Sequence, residues 1–323
     1  MYDRKITSNE PGLIILLIDQ SSSMSETLVK TADGEAFSIA KMAKYVCDHF
    51  LNEIFQKCVR GNEFKPYLDL AVIGYGRETE RGAKIRSALT KITLEQFPFS
   101  VTKLADCYTK KNQNTSDDAS VVPKPRLEWT EERSSGDTPM LEAFKKSREI
   151  IENWLPNHKT SFPPFVINMS DGAPTDDVEI LEMLRNGSVD DDLSQTQLIS
   201  ETNVIQKLGT DNGTCLICNC HISSMMMTQV LYPTDITEIN NIDELAKIMF
   251  KMSSVIPDTL RKLGAGLGLP LEYNSKFFVF NADVGSLKSF MKFGTTATSS
   301  LSSETPELED NNDKDSEDTN NES

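Results

Sequence analysis

One short segment limits the possible folds of this chain more than any other feature. Leu13-Ile-Ile-Leu-Leu-Ile18 is an unbroken run of large apolar residues, and Asp19 follows it directly. Such a run is typical of a strand that is buried on both faces, as in the centre of a parallel sheet. It is far shorter than the roughly 20 apolar residues that a membrane-spanning helix needs. The segment therefore predicts the first central strand of an α/β domain.

Strands and helices alternate along the rest of the sequence. Further apolar strands are predicted at 68–75, 163–169 and 215–222, with a last edge strand at 276–280. Apolar periodicity predicts helices at 35–58, 140–155, 178–184, 242–252, 257–263 and 284–293. This alternation predicts a doubly wound, mainly parallel sheet flanked by helices, in the α/β class. Residues 77–133 and 186–213 fit the pattern poorly, and we expect them to be surface insertions.

The charge distribution separates a folded domain from a tail. The 323 residues carry a net charge of −16, and residues 295–323 carry half of it, with nine acidic residues against Lys314. This tail has almost no large apolar residues, so we expect it to be disordered and the folded domain to span 1–294. The acidic surface disfavours nucleic acid and anionic membranes as partners. No signal-peptide pattern surrounds the first apolar run, which predicts a cytoplasmic protein.

The cysteines raise the question of a zinc site. They lie at positions 47, 58, 107, 215, 218 and 220, and His221 follows the last of them. On a strand, however, Cys218 and Cys220 face one side and Cys215 faces the other, so the ligands would not converge. We therefore expect buried, reduced cysteines and no structural zinc site.

Polar residues follow two of the predicted strands and precede one of the helices. Asp19-Gln-Ser-Ser-Ser23 follows the first strand, Ser170-Asp-Gly172 follows the third, and Gly136-Asp-Thr138 precedes a helix. Ligands of open parallel sheets bind beyond the carboxyl ends of the strands. Hydroxyl and carboxylate oxygens are the donors that a hard cation such as Mg²⁺ prefers. The sequence thus predicts a metal site at this edge of the sheet.

These three segments together resemble the von Willebrand factor A (VWA) domain with its metal-ion-dependent adhesion site, written Asp-x-Ser-x-Ser, then Thr, then Asp. The resemblance implies that Ser21, Ser23 and Thr138 are hydroxyl ligands of Mg²⁺, or of Mn²⁺ or Ca²⁺. It implies that Asp19 and Asp171 act largely through bound water. A Glu or Asp of another protein would fill the vacant position, and the domain would be an interaction module without catalytic activity.

Further motifs resemble bacterial stand-alone VWA proteins of the tellurite-resistance-associated (TerY-like) type. They are Phe278-Val-Phe-Asn-Ala-Asp283, Lys292-Phe-Gly-Thr295 and Trp129. This resemblance implies a protein kinase or a PP2C-type phosphatase as partner, in a bacterial signalling, stress-response or phage-defence system. Met225-Met-Met227 is interpreted either as an adaptable contact surface near the metal face or as core filling.

Two other interpretations of the motifs stay open from the residues alone. Each segment has an ordinary structural explanation: a serine loop, a helix N-cap at Thr138-Pro139, and an Asp171-Gly172 turn. The enzymatic alternative is a Mg²⁺-dependent phosphatase of the haloacid-dehalogenase type, which also places Asp at the end of its first strand. In that class the residue two positions later is an acid, whereas this chain has Ser21, which cannot donate a proton at neutral pH.

Overall fold

The computed structural model describes residues 1–30, 36–60, 63–64, 67–76, 85–86, 130, 132–187, 193, 196–223, 228–239 and 244–290. Its central sheet has seven strands: β1 Gly12–Asp19, β2 Leu68–Tyr75, β3 Ile85–Arg86, β4 Phe165–Ser170, β5 Leu216–His221, β6 Val230–Leu231 and β7 Phe278–Phe280. Their order in space is β6-β7-β5-β4-β1-β2-β3. The inner five strands are parallel, and β6 and β3 add to either side in the antiparallel sense.

Helices cover both faces of this sheet. They are α1 Ile39–Cys58, α2 Met140–Trp154, α3 Val178–Asn186, α4 Gln197–Ile205, α5 Glu244–Met252, α6 Asp258–Gly266 and α7 at 284–290. Single 3-10 turns occur at Ser22–Ser25, Leu155–Asn157 and Ile236–Glu238. Short antiparallel ribbons join Thr27–Lys30 to Ala36–Ser38, Val59–Arg60 to Glu63–Phe64, and Gly209–Thr210 to Gly213–Thr214. The predicted α/β fold class, a mainly parallel sheet flanked by helices, is confirmed.

Burial of β1 on both of its faces explains why this strand has no polar residue before Asp19. Ile14, Leu16 and Ile18 belong to the core under α1, where they join Val46 and Phe50. The alternate residues, Leu13, Ile15 and Leu17, belong to the core on the opposite face of the sheet, under α2. Every residue of β1 is buried. A strand covered on both faces must therefore be apolar throughout, and it can carry polar groups only where it ends.

Several predicted elements differ from the observed ones. Helix α1 begins at Ile39, not at residue 35, because residues 36–38 pair with 27–30 as a ribbon. Strand β7 was predicted to be an edge strand, but it is not at the edge of the sheet, because β6 pairs with its outer side. Residues 186–213, expected to be a surface insertion, include α4, whose buried apolar side chains pack in the core under α2.

Some sequence predictions fall on residues that the structure does not describe. These are most of 77–133 with Cys107 and Trp129, the methionines at 225–227, and the tail at 295–323. Within the described part of the chain, no helix is long and apolar enough to cross a membrane.

Candidate metal centre

Three loops build the site at the carboxyl edge of the sheet. The first loop (19–26) follows β1, and the second loop (134–139) leads into α2. The third loop (170–177) follows β4, the strand beside β1 in the sheet. Because β1 and β4 are parallel neighbours, their last residues lie side by side at this edge. The fold thus brings together the segments that the sequence singled out.

Four hydrogen bonds, each with at least one backbone group, fix the second loop against the other two. Ser22 donates to the Gly136 carbonyl from both its backbone N–H (2.9 Å) and its hydroxyl (2.8 Å). On the other side, the Thr138 N–H donates to Thr175 Oγ1 (2.9 Å), and the Thr175 N–H donates back to the Thr138 carbonyl (2.9 Å). Gly136 has a φ of 81°, a conformation that favours glycine. The second loop is therefore clamped between the first and the third.

The predicted site residues of the first and third loops are in contact. Ser21 Oγ and Ser23 Oγ lie 3.0 Å apart, and Ser23 Oγ donates to Asp171 Oδ1 at 2.8 Å. Asp19 Oδ1 accepts a hydrogen bond of 2.8 Å from the Ser21 N–H. Two hydroxyls and two carboxylates thus form one connected cluster.

Gly172 reveals the position of Thr138 in this cluster. A Cβ atom at Gly172 would lie 3.1 Å from Ser23 Oγ, 3.1 Å from Thr138 Oγ1 and 3.5 Å from Asp19 Oδ2. Oxygen atoms from the first and second loops therefore face a single point beside Gly172. The structure places all five predicted residues in one cluster, including Thr138, which is distant from the others in sequence.

The geometry of this cluster fits a small divalent cation. Mg²⁺ binds oxygen at about 2.0–2.1 Å with octahedral geometry, so adjacent ligands are about 3 Å apart. The distance of 3.0 Å between Ser21 Oγ and Ser23 Oγ is compatible with that spacing. Among the described residues, no group of three or more His, Cys, Asp or Glu could hold a metal ion. A metal at this cluster would depend on its hydroxyls as well as on its two carboxylates.

The two carboxylates are electrostatically costly in the absence of a cation. Burial raises the pKa of Asp19 to about 6, although hydrogen bonds from Ser170 and Ser21 oppose the shift. Burial and the charge of Asp19 together raise the pKa of Asp171 to about 7. Burial also raises the pKa of Tyr75 well above its usual value, and the Asp19 charge adds to that effect. The site therefore favours protons or another cation near neutral pH.

Three further residues shape the site, and none of them was predicted from the sequence as a site residue. Ser170 is fully buried, and its hydroxyl donates to Asp19 Oδ2 at 2.5 Å and accepts from the Gly172 N–H at 3.1 Å. Gly172 leaves open the point that the oxygens face. Asp176 accepts the N–H groups of Leu141 and Glu142, at 3.1 and 2.9 Å. Only the position of Ser170 at the end of a predicted strand signalled its role.

Asp176 also corrects the structural interpretation of Thr138. The sequence allowed Thr138 to cap helix α2, but α2 begins at Met140 after Pro139 and has no side-chain hydrogen bond from its N-cap residue. The Asp176 carboxylate satisfies the first N–H groups of this helix instead. The Thr138 hydroxyl is thus available to the cluster beside Gly172.

The described cysteines are buried free thiols, as expected. Cys218 and Cys220 pack in the core under α1, whereas Cys215 packs in the core on the opposite face of the sheet. Burial raises the pKa of each of these three thiols. His221 is buried and stacks on Phe280, with ring centroids 5.1 Å apart. The strand therefore separates the groups that a zinc site would need to bring together.

Comparisons with known proteins give only distant structural similarity. No protein-family model and no curated protein sequence matches the chain. Proximal thread matrix protein 1 from the mussel byssus is 12% identical, with a TM-score of 0.42, over 89% of this chain and 48% of that one, about half its length. The vWF domain of the pilus tip protein Mfa5 from Porphyromonas gingivalis is 12% identical, with a TM-score of 0.42, over 89% of this chain and 94% of that one. The minor pilin PilB from Streptococcus sanguinis is 9% identical, with a TM-score of 0.43, over 90% and 62%. Identities and TM-scores this low assign the chain neither a family nor a function.

Proposed function

We propose that this protein is a metal-dependent protein–protein interaction module of the VWA type. Ser21, Ser23 and Thr138 would bind Mg²⁺ through their hydroxyls, and Asp19 and Asp171 would supply the negative charge. Mn²⁺ or Ca²⁺ could be held by the same oxygen donors. A Glu or Asp side chain of a partner protein would complete the coordination. The observation that supports this proposal most strongly is the convergence of oxygens from separate loops on the point beside Gly172.

The residue types suit binding better than bond cleavage. Bound metal would supply a positive centre that attracts a carboxylate, and three of its protein ligands are neutral hydroxyls. Asp19 cannot reorient freely, because the Ser21 N–H and the Ser170 hydroxyl occupy its two oxygens. Two carboxylates at most neutralise a divalent ion, which leaves it able to attract a further anionic group.

The same loops disfavour the phosphatase alternative. The loops 19–26, 134–139 and 170–177 contain no lysine or arginine to bind a phosphate group. Ser21, at the position where that class has its general acid, contacts Ser23 instead. We therefore infer a non-enzymatic module. Its setting in a bacterial signalling, stress or defence system, with a kinase or PP2C-type phosphatase as partner, rests on the sequence resemblance and stays a prediction. The cytoplasmic location is a separate prediction from the sequence.

Calorimetric titration tests the proposal directly. Mg²⁺ should bind the wild-type protein with one site, and Asp19→Ala should abolish the heat of binding. Glu272→Gln is a charge-matched control, because it also removes one negative charge but lies far from the site. Glu272 is exposed and precedes β7, and only the other end of that strand lies at the edge of the sheet that holds the site. Equal Mg²⁺ affinity in the wild type and Asp19→Ala would place the site elsewhere.

An activity assay separates the module from the phosphatase. Purified protein with Mg²⁺ should show no turnover of a generic phosphate ester. Turnover that Asp19→Asn abolishes would contradict the non-enzymatic proposal.

A further inference from the structure

A chain of hydrogen-bonded side chains runs through the core from the candidate metal centre to helix α5. Tyr75 is the last residue of β2, and its hydroxyl donates to Asn168 Oδ1 on β4 at 2.9 Å. The Asn168 Nδ2 group donates to Asn219 Oδ1 on β5 at 3.0 Å. Asn219 Nδ2 donates to the Met249 carbonyl of α5 at 3.2 Å and to Ser253 Oγ at 2.9 Å. We call the side chains of Tyr75, Asn168 and Asn219 the polar ladder.

The polar ladder lies where an apolar core is the rule. Strands β4 and β5 are buried at every position, yet each contains one Asn, and the two are neighbours in the sheet register. Asn168, Asn219 and Tyr75 are all fully buried. Buried amides are costly unless they are hydrogen-bonded, so their presence here depends on the bonds that they make with one another.

The Met249 carbonyl fixes the direction of every hydrogen bond in the ladder. A carbonyl oxygen can only accept, so Asn219 must present Nδ2 to α5 and Oδ1 to Asn168. Asn168 must then present Nδ2 to Asn219, which leaves its Oδ1 facing Tyr75. The Tyr75 hydroxyl has a single proton and must donate it to this oxygen. The ladder therefore points in one direction, from Tyr75 to α5.

The Tyr75 end of the ladder lies beside the proposed metal ligands. Tyr75 is the register partner of Asp19 on the adjacent strand β1. Burial raises the pKa of Tyr75 well above its usual value, the Asp19 charge adds to this rise, and a hydrogen bond with Ser170 opposes it. Because the Tyr75 proton is donated to Asn168, the phenol oxygen can only accept on the side of Ser170 and Asp19.

A phenol proton directed at Asp19 would compete with a metal ion. The two oxygens of a carboxylate offer about four lone-pair positions, and the Ser21 N–H and the Ser170 hydroxyl occupy one on each oxygen of Asp19. A third donor would take one of the remaining positions. It would also stabilise the carboxylate charge in the metal-free site. Both effects would weaken the affinity of the site for a cation.

On the basis of the proposed function, we propose that Asn168 is a positioning residue of the metal site, which holds the Tyr75 proton away from Asp19. Asn168 acts through Tyr75 and is not itself a metal ligand. Asn219 and the Met249 carbonyl keep the Asn168 amide in the required orientation. The free lone pairs of Asp19 would thus stay open to the metal or to a water molecule bound to it.

Calorimetric Mg²⁺ titration of three variants of the full-length protein tests this inference. Asn168→Leu removes the acceptor at similar side-chain size and releases the Tyr75 hydroxyl, and we expect Mg²⁺ affinity to fall about 10-fold. Tyr75→Phe alone should keep an affinity close to that of the wild type, because the site does not use this proton. The double variant Asn168→Leu, Tyr75→Phe should regain most of the affinity, because no proton remains to turn toward Asp19.

Ser253→Ala is the matched control. It removes a hydroxyl beyond the far end of the ladder, whereas the Met249 carbonyl still orients Asn219. It should therefore bind Mg²⁺ as the wild type does. Denaturant unfolding of each variant shows that the titrated protein is folded.

Infrared spectroscopy gives a measurement that loss of packing would not change. The frequency of the tyrosine C–O vibration depends on whether the phenol donates or accepts hydrogen bonds, and Tyr75→Phe identifies the Tyr75 band in isotope-labelled protein. In the wild type this band should be that of a donating phenol and should be the same with Mg²⁺ and with a chelator. In Asn168→Leu it should change when Mg²⁺ displaces the released proton from Asp19.

Several results would overturn the inference alone. They are wild-type Mg²⁺ affinity in Asn168→Leu, a double variant that binds Mg²⁺ no better than Asn168→Leu, and a wild-type Tyr75 band that responds to Mg²⁺. The last of these decides the matter even if Asn168→Leu does not fold. If the wild-type protein binds no Mg²⁺, the proposed function fails together with the inference.

Discussion

Ser170 and Asp19 are joined by a hydrogen bond of 2.5 Å at the edge of the sheet, with the serine hydroxyl as donor. The two residues end adjacent parallel strands, β4 and β1. The same hydroxyl accepts the Gly172 N–H, so one buried side chain orients the carboxylate of the first loop and the turn of the third. This relationship makes Ser170 a positioning residue for the proposed metal site.

Replacing Ser170 tests that role. Ser170→Ala leaves the buried Asp19 Oδ2 without this donor, and a hydrogen bond to a charged group contributes about 1.5–3 kcal/mol. We expect Mg²⁺ affinity to fall roughly 10-fold, which corresponds to about 1.4 kcal/mol. Ser170→Thr keeps the hydroxyl and should retain most of the affinity. Calorimetric titration of both variants checks this, and wild-type affinity in Ser170→Ala would contradict it.

The raised pKa values of Asp19 and Asp171 predict a pH-dependent metal effect. In the folded protein without metal, the pKa of Asp19 is about 6 and that of Asp171 is about 7, whereas the ordinary value of an Asp is 3.8. Between pH 3.8 and these folded values, the folded protein therefore binds more protons than the unfolded chain. Their contribution to stability is therefore fully present below about pH 4 and is lost as the pH rises through 6 to 7. Mg²⁺ should compensate for that loss at high pH.

Chemical unfolding with Mg²⁺ and with a chelator measures this effect. Mg²⁺ should increase the free energy of unfolding more at pH 8 than at pH 5, because protons compete with the metal for the carboxylates at the lower pH. Asp171→Asn should reduce this pH dependence. A Mg²⁺ contribution of equal size at both pH values would count against carboxylate ligation.

Gly172→Ala should block the metal site without unfolding the protein. The new methyl group would lie 3.1 Å from both Ser23 Oγ and Thr138 Oγ1, at the point that the oxygens face. Gly266→Ala is the matched control, because a Cβ atom there meets nothing within 4 Å. We expect Gly172→Ala to lose Mg²⁺ binding and Gly266→Ala to keep it. Normal Mg²⁺ titration of Gly172→Ala would move the proposed site away from this point.

Thr138→Ala and Asp176→Ala should separate metal binding from helix capping. Asp176 accepts the first N–H groups of α2, so its removal should cost about 1 kcal/mol of unfolding free energy. Thr138 does not cap this helix but is buried, so Thr138→Ala should cost no more than the roughly 0.8 kcal/mol of one buried methyl group while it weakens Mg²⁺ binding. Denaturant unfolding together with Mg²⁺ titration resolves the two effects. The reverse ranking of stability would restore Thr138 as the cap.

The sequence by itself determined the central strands and the order of the site segments. The apolar run before Asp19 predicted a strand buried on both faces, because a strand without a polar position cannot face water. The second strand was predicted at the bounds that the structure has, Leu68–Tyr75. The edge that holds the site could be predicted because the ends of parallel strands meet at one edge of a sheet. The choice of the five candidate ligands came from the resemblance to the VWA motif.

Only the tertiary structure decided which oxygens face one another and which residues support them. Asp176 caps a helix that begins 36 residues earlier in the chain, and Ser170 donates to a carboxylate 151 residues away. Local pattern favoured Thr138 as the cap, because a threonine before a proline and a helix has that role in many proteins. Hydrogen bonds and buried charges depend on distances between segments remote in sequence, and packing of the helices and loops on the sheet sets those distances.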